Sequence, residues 1–350
     1  MTYPTRYLAR PTRLPAALRA TCAHPAATRL CHYWGLHSGP VGAGRWRARQ
    51  LPRARPTATP AVRAGHEVVI WTVVKVLIAG CGYVGSALGA ELLADGDEVW
   101  GLRRDPAQLP PGVSRIAADL QSPADLQRLP AKLDVVVYCV GADESTEAAY
   151  QRAYVTGLSH LLHALERREV QRIYFTSSTA VYAQGDGQWL TESSETAPTH
   201  FSGVRLLEAE RLLQEHRVPA TILRCSGIYG PGRTRLIESV RQGTARGSAR
   251  HTNRIHRDDV AGAVRHLLRA GTAPDLLLLT DDEPAPERDV LGYVAKCLGV
   301  PEPLAAASAA PSRPGDKRCS NARLRATGYS LRFPTYREGY SALLAEAAGA

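Results

Sequence analysis

From residue 74 onward, apolar positions recur along the chain in two alternating rhythms. Val74 to Ala79 is a short β-rich run, and Val84, Ala87, Leu88 and Leu92 follow it at helical spacing. Further strands are predicted at Glu98 to Leu102, Arg115 to Ala117, Val135 to Val140, Ile173 to Thr176 and Thr221 to Arg224. Helices are predicted from about Thr146 and over Leu158 to Arg167. Strand alternating with helix predicts an α/β fold, a Rossmann-type doubly wound parallel sheet. Leu276 to Leu279, among the longest apolar runs, has strand length, far below the roughly 18 residues of a membrane-spanning helix.

Residues 1 to 65 lack either rhythm. They hold eleven Arg and eight Pro, with no Lys, Asp or Glu. Such a segment buries too little apolar surface to fold, so residues 1 to 72 are expected to form a disordered extension. The whole chain carries +10, a balance that ordinarily suggests a nucleic-acid or membrane-surface partner. Beyond residue 65, however, 32 basic residues face 33 acidic ones, which removes that suggestion from the folded part. The extension has three readings: translated upstream DNA ahead of a start near Val74, a genuine tail, or a transit peptide whose prolines would break its helix. The first accounts best for the single Met, at position 1, and for the abrupt onset of pattern. Residues 73–235 are expected to form a dinucleotide-binding domain. Residues 236–350 are expected to form a small C-terminal substrate lobe with elements returning to that domain.

Seven Cys without a C-x-x-C pair match reduced, cytoplasmic usage. His160 and His163 lie three apart on a predicted helix, but no acid or thiol stands at ligand spacing, so no metal is expected.

The first strand runs into Gly80, Gly82 and Gly85, with Tyr83 and Val84 opening the helix. In a strand–turn–helix the three glycines do different things. Gly80 makes the tight turn, Gly82 lets a pyrophosphate approach, and Gly85 lets helix pack on strand. Phosphates would sit at the helix N-terminus. Arg103 and Arg104 end the second strand where an NAD site usually has an acid, which favours NADP over NAD. In a doubly wound sheet the ligand lies at the C-terminal strand ends. That puts Asp119 at the adenine end, Gly141 and Ala142 on the nicotinamide side, and Ser178 in the same crevice.

The segments GCGYVG (80–85), YFTSSTAVY (174–182), LRCSGIYGPGR (223–233), RIHRDDVAGA (254–263) and LLTDDEPAP (278–286) come in one order. That ordered set resembles the NAD-dependent epimerase/dehydratase family, within the extended and atypical short-chain dehydrogenase/reductases, over about residues 74 to 345. The resemblance implies a redox or epimerase activity on a small carbonyl or hydroxyl substrate, with Ser178 polarising it. Tyr229 and Arg233 would border that substrate, and a homodimer would be the family's usual assembly. The lobe is short beside those of the sugar-nucleotide epimerases.

The sequence departs from the family at the Tyr-x-x-x-Lys pair. Aligned on Pro198, Gly203 and Glu210, Ser202 stands at the Tyr position and Leu206 at the Lys position. A one-residue shift gives Phe201 and Arg205. Leu206, Ala209 and Leu213 form a stripe of ordinary core packing. Three readings stay open. The protein is an oxidoreductase or epimerase in which another group, such as Tyr182, carries the proton; or it binds NADP(H) without turnover as a redox-sensing regulator; or it runs unrelated chemistry on the same scaffold. Arg224 and Arg233 either hold an anionic substrate group or pair with a carboxylate such as Asp258 or Asp259. His256 is expected to head a helix with those two acids in its first turn.

Overall fold

The computed structural model describes residues 73–306 and 315–349. The expected N-terminal extension lies outside the described residues. Seven parallel strands form the central sheet: β1 (Lys75–Ala79), β2 (Glu98–Arg103), β3 (Ser114–Ala117), β4 (Val135–Tyr138), β5 (Arg172–Ser178), β6 (Ala220–Cys225) and β7 (Leu276–Leu279). Their order across the sheet is β7-β6-β5-β4-β1-β2-β3. The order reverses between β1 and β4, and at such a switch point the flanking loops part to leave a crevice.

The strands are apolar at nearly every position because both faces are covered. Leu77, Val136, Tyr138, Ile173 and Phe175 point to one side, where α2 (Gly157–Leu165) and α3 (Phe201–Glu215) bury Leu158, Leu161, Leu206, Ala209 and Leu213. Val76, Ile78, Val137 and Tyr174 point to the other, against α1 (Tyr83–Ala94) and α4 (Arg257–Ala270). A third core joins Tyr229, Ile237, Val290, Val294, Tyr336 and Tyr340 in the C-terminal region. The leucine run 276–279 adds the edge strand β7, which pairs with β6.

The helix expected from Thr146 begins there, with the Thr146 hydroxyl capping Ala149 N–H. It is interrupted by a π-helical turn over Gln151–Thr156 before α2 resumes. Outside the central sheet, and without an apolar rhythm to announce it, Asp186–Leu190 lies parallel to Asp316–Cys319.

Candidate active site

A cavity of about 850 Å³ opens at the C-terminal ends of β1 to β6. The glycine turn lies at one end. Gly80 has φ +80°, and its N–H and that of Cys81 both donate to the Leu102 carbonyl, tying the turn to β2. Gly82 caps α1 without any side-chain cap, and no acid stands in the first turn. The helix N-terminus therefore presents bare amides and a positive dipole end to the cavity. A Cβ on Gly82 would meet only the Gly80 carbonyl, at 3.8 Å, so its absence leaves the amides open to a ligand. The cradle fits the phosphates of a dinucleotide.

Gly80, Gly82, Tyr83, Val84, Arg103, Arg104, Asp119, Gly141, Ser178 and Arg233 all line this cavity. Arg104 is held by Asp143 across the opening, two contacts of 2.9 Å, while the Arg103 guanidinium makes no hydrogen bond among the described residues. Asp119 turns the chain, accepting from Gln121 N–H at 2.9 Å. The Tyr83 ring lies under the guanidinium of Arg233, 4.2 Å from its carbon, and beside Arg257, at 5.2 Å. Arg233 pairs with no carboxylate among the described residues; it donates to the Ile228 carbonyl at 2.7 Å.

Four of the expected residues do not line the cavity, Gly85 among them in keeping with the packing role expected of it. Gly85 packs helix on strand, since a Cβ there would fall 2.7 Å from Ile78 Cγ2. Ala142 sits between two wall residues, Gly141 and Asp143, and is not itself part of the wall. Tyr182 is buried behind it, donating to the Thr191 carbonyl and accepting from Arg224 Nη1 at 2.7 Å. Tyr229 belongs to the C-terminal core, stacked on Tyr340 and edge-on to His256. Arg224 pairs with neither Asp258 nor Asp259 but with Glu210, through Nε and Nη2, and Ser177 Oγ donates to the same carboxylate at 2.5 Å. His160 bonds to the Leu120 carbonyl and His163 to Glu166, each on its own.

Ser178 ends β5, and its Oγ accepts from Ala180 N–H at 3.1 Å, shaping the turn Thr179–Val181. Lys317 fixes that turn from outside: buried, with its pKa lowered by desolvation, it donates to the carbonyls of Thr179 and Tyr182. Nothing in the local sequence around Lys317 announces this contact. Tyr150 and Tyr154 bring phenols to the opposite wall from the helical stretch around the π turn, another feature the spacing did not predict. Burial pushes Tyr154 up to about 12 and the wall thiol Cys225 also to about 12, so neither ionises near neutrality.

A model of the NAD dependent epimerase/dehydratase family matches residues 76–276. The chain belongs to that family. Among curated relatives, it is 30% identical to a 3-diazoavenalumate denitrifying reductase from a Streptomyces species, over 76% of this chain and 98% of the relative. It is also 30% identical to protein YeeZ of Escherichia coli K12, over 56% of this chain and 73% of that protein. A solved structure from Methylobacillus flagellatus, provisionally described as an NAD-dependent epimerase/dehydratase, is 41% identical with a TM-score of 0.68. That match covers 79% of this chain and all of the other. A UDP-glucose 4-epimerase from Thermus thermophilus, solved with NAD, shares the fold at 22% identity and a TM-score of 0.69, over 79% of this chain and 100% of that one.

Within the family frame, the register of the missing pair can be read from geometry. Ser202 and Leu206, one helical turn apart on α3, both line the cavity. Phe201 instead packs edge-on against Tyr150, and Arg205 bonds to Gln151, Glu147 and Glu208.

Proposed function

We propose that this chain is a nicotinamide-dinucleotide oxidoreductase acting on a small carbonyl or hydroxyl substrate. The observation that carries the reading is that the uncapped glycine cradle and Ser178 open into one cavity. A bound nicotinamide dinucleotide would supply or accept hydride. Gly80, Gly82 and the first amides of α1 would hold its phosphates, and Asp119 would take its adenosine end. Ser178 keeps its hydroxyl proton to donate to a substrate oxygen, because its own lone pair already accepts from Ala180 N–H. The two arginines at the end of β2 support binding of a 2′-phosphate, with Arg103 the unengaged one. The Streptomyces relative, named as a reductase and aligned over nearly its whole length, supports redox chemistry over epimerisation.

A second reading, a cofactor-binding regulator without turnover, is favoured by Leu206, an apolar side chain where the family resemblance sets a lysine. Titration with NADH and NADPH, followed by incubation with aldehydes and ketones, separates the two. Oxidation of the bound cofactor by any of them, lost by about 100-fold in Ser178→Ala at unchanged cofactor affinity, supports the oxidoreductase. Tight binding with no oxidation supports the regulator.

A further inference from the structure

A serine alcohol alone is too weak an acid to hand a proton to a developing alkoxide, and Ser202 stands where the resemblance sets a phenol. Its hydroxyl is not alone. Nδ1 of His200 lies 2.8 Å from Ser202 Oγ, and the Ser202 amide N–H donates to the same nitrogen at 3.3 Å. An amide only donates, so Nδ1 of the neutral ring carries a lone pair, and the Ser202 hydroxyl donates to it. We infer that Ser202 and His200 form a proton relay that replaces the missing phenol. The inference rests on the oxidoreductase reading above and names that site's proton carrier.

The placement of the pair supports the role. Ser202 and Ser178 border the same cavity and flank one piece of backbone. Ser178 Oγ accepts from Ala180 N–H, and a Cβ on Gly203 would come within 2.3 Å of the Ala180 carbonyl oxygen, so the first turn of α3 is pressed onto the serine turn. The His200 ring is exposed to water and rests on Phe201, centroids 4.1 Å apart; Phe201 in turn meets Tyr150 edge-on at 5.4 Å. One end of the relay thus faces the cavity and the other faces solvent.

In the reductive direction, the substrate carbonyl carbon receives the hydride given up by a reduced nicotinamide dinucleotide. The carbonyl oxygen takes the Ser202 hydroxyl proton, Ser202 Oγ takes the Nδ1 proton of protonated His200, and water reprotonates the ring. Oxidation runs the same bonds in reverse, with the Ser202 hydroxyl passing its proton to Nδ1 across the 2.8 Å contact.

His200 also caps α3, so the test must separate capping from proton transfer. Asn caps helices well but has no basic nitrogen. In the full-length protein, His200→Asn, His200→Ala and Ser202→Ala are expected to bind NADH and NADPH within about threefold of wild type and to lose turnover by about 100-fold or more. Added imidazole should restore part of the rate to His200→Ala and none to Ser202→Ala. Long-range ¹⁵N–¹H spectra of the wild type, which need no substrate, should show His200 as the Nε2–H tautomer. A His200→Asn rate near wild type, a His200→Ala rate that imidazole leaves unmoved, or an Nδ1–H tautomer overturns the relay while the oxidoreductase reading stands. A wild type that binds no dinucleotide, or reduces no member of the carbonyl panel, removes both, and is recognised because the failure precedes any substitution.

Discussion

At Gly80 the backbone sits at φ +80°, and a Cβ there would lie 2.7 Å from the Val140 backbone. Gly80→Ala should therefore destabilise the fold by about 1–3 kcal/mol through strain and overlap, read as a lower urea midpoint. Gly82→Ala should leave stability within about 0.5 kcal/mol, because its Cβ would meet nothing closer than 3.8 Å, yet weaken dinucleotide binding at least about tenfold by covering the bare amides. A motif whose letters look alike thus divides into a folding residue and a binding residue, and a pair of melting and titration curves distinguishes them. Arg104 offers a different test. Its pairing with Asp143 is exposed, worth at most about 1 kcal/mol, and it occupies the guanidinium that a 2′-phosphate would need. Asp143→Ala should shift the ratio of NADPH to NADH dissociation constants toward NADPH by up to about fivefold; an unmoved ratio would mean that Arg104 does not read that phosphate. That Gly80, Gly82, Arg103, Asp119 and Ser178 border one crevice was legible because strand–turn–helix patterning fixes which residues stand at strand ends. Tyr182 and Tyr229 were not, since a tyrosine beside a strand end reads the same whether its ring faces a cavity or the core behind it.

Between elements, the serine turn is held by a buried network. Ser177 and Arg224 converge on Glu210 of α3, and Arg224 reaches on to the Tyr182 hydroxyl. Glu210, Arg224 and Tyr182 are all buried, so each lost bond would strand a polar or charged group away from water. Glu210→Ala should cost about 3–5 kcal/mol by leaving Arg224 unpaired, measured by urea unfolding. Arg224 braces β6 against α3 through Glu210, and the Tyr182 hydroxyl is engaged by the Thr191 carbonyl and Arg224. The sheet strands and main helices were readable because their apolar rhythm answers to burial on two faces. The π turn was not, because Gln151–Thr156 buries only Val155 and so offers too few apolar positions to set a period, and Asp186–Leu190 was not, because five residues opening Asp-Gly-Gln carry no rhythm to read.

For the molecule as a whole, pH should act through His256, which caps α4 from a buried position against Tyr229 and Phe333. Burial lowers its pKa, so the folded chain keeps the ring neutral where an unfolded chain, near 6.5, takes up a proton. With more protons bound in the unfolded state, stability falls as pH drops below about 6.5. Asp281, whose carboxyl burial pushes up to about 8, works in the opposite sense, so that stability is drawn down as pH rises toward 8. His256→Asn retains a capping oxygen, and the stability it loses between pH 7.5 and 5.5 should be smaller than that of the wild type; an equal loss would assign the acid limb to other groups. Lys317, finally, grips a turn 138 residues earlier in the chain. During synthesis, the turn carrying Ser178 stays unclamped until the strand Asp316–Cys319 has emerged and found its partner. A truncation or gene fusion that ends the chain before Asp316 would therefore keep the seven strands of the central sheet and lose the clamp on the Ser178 turn.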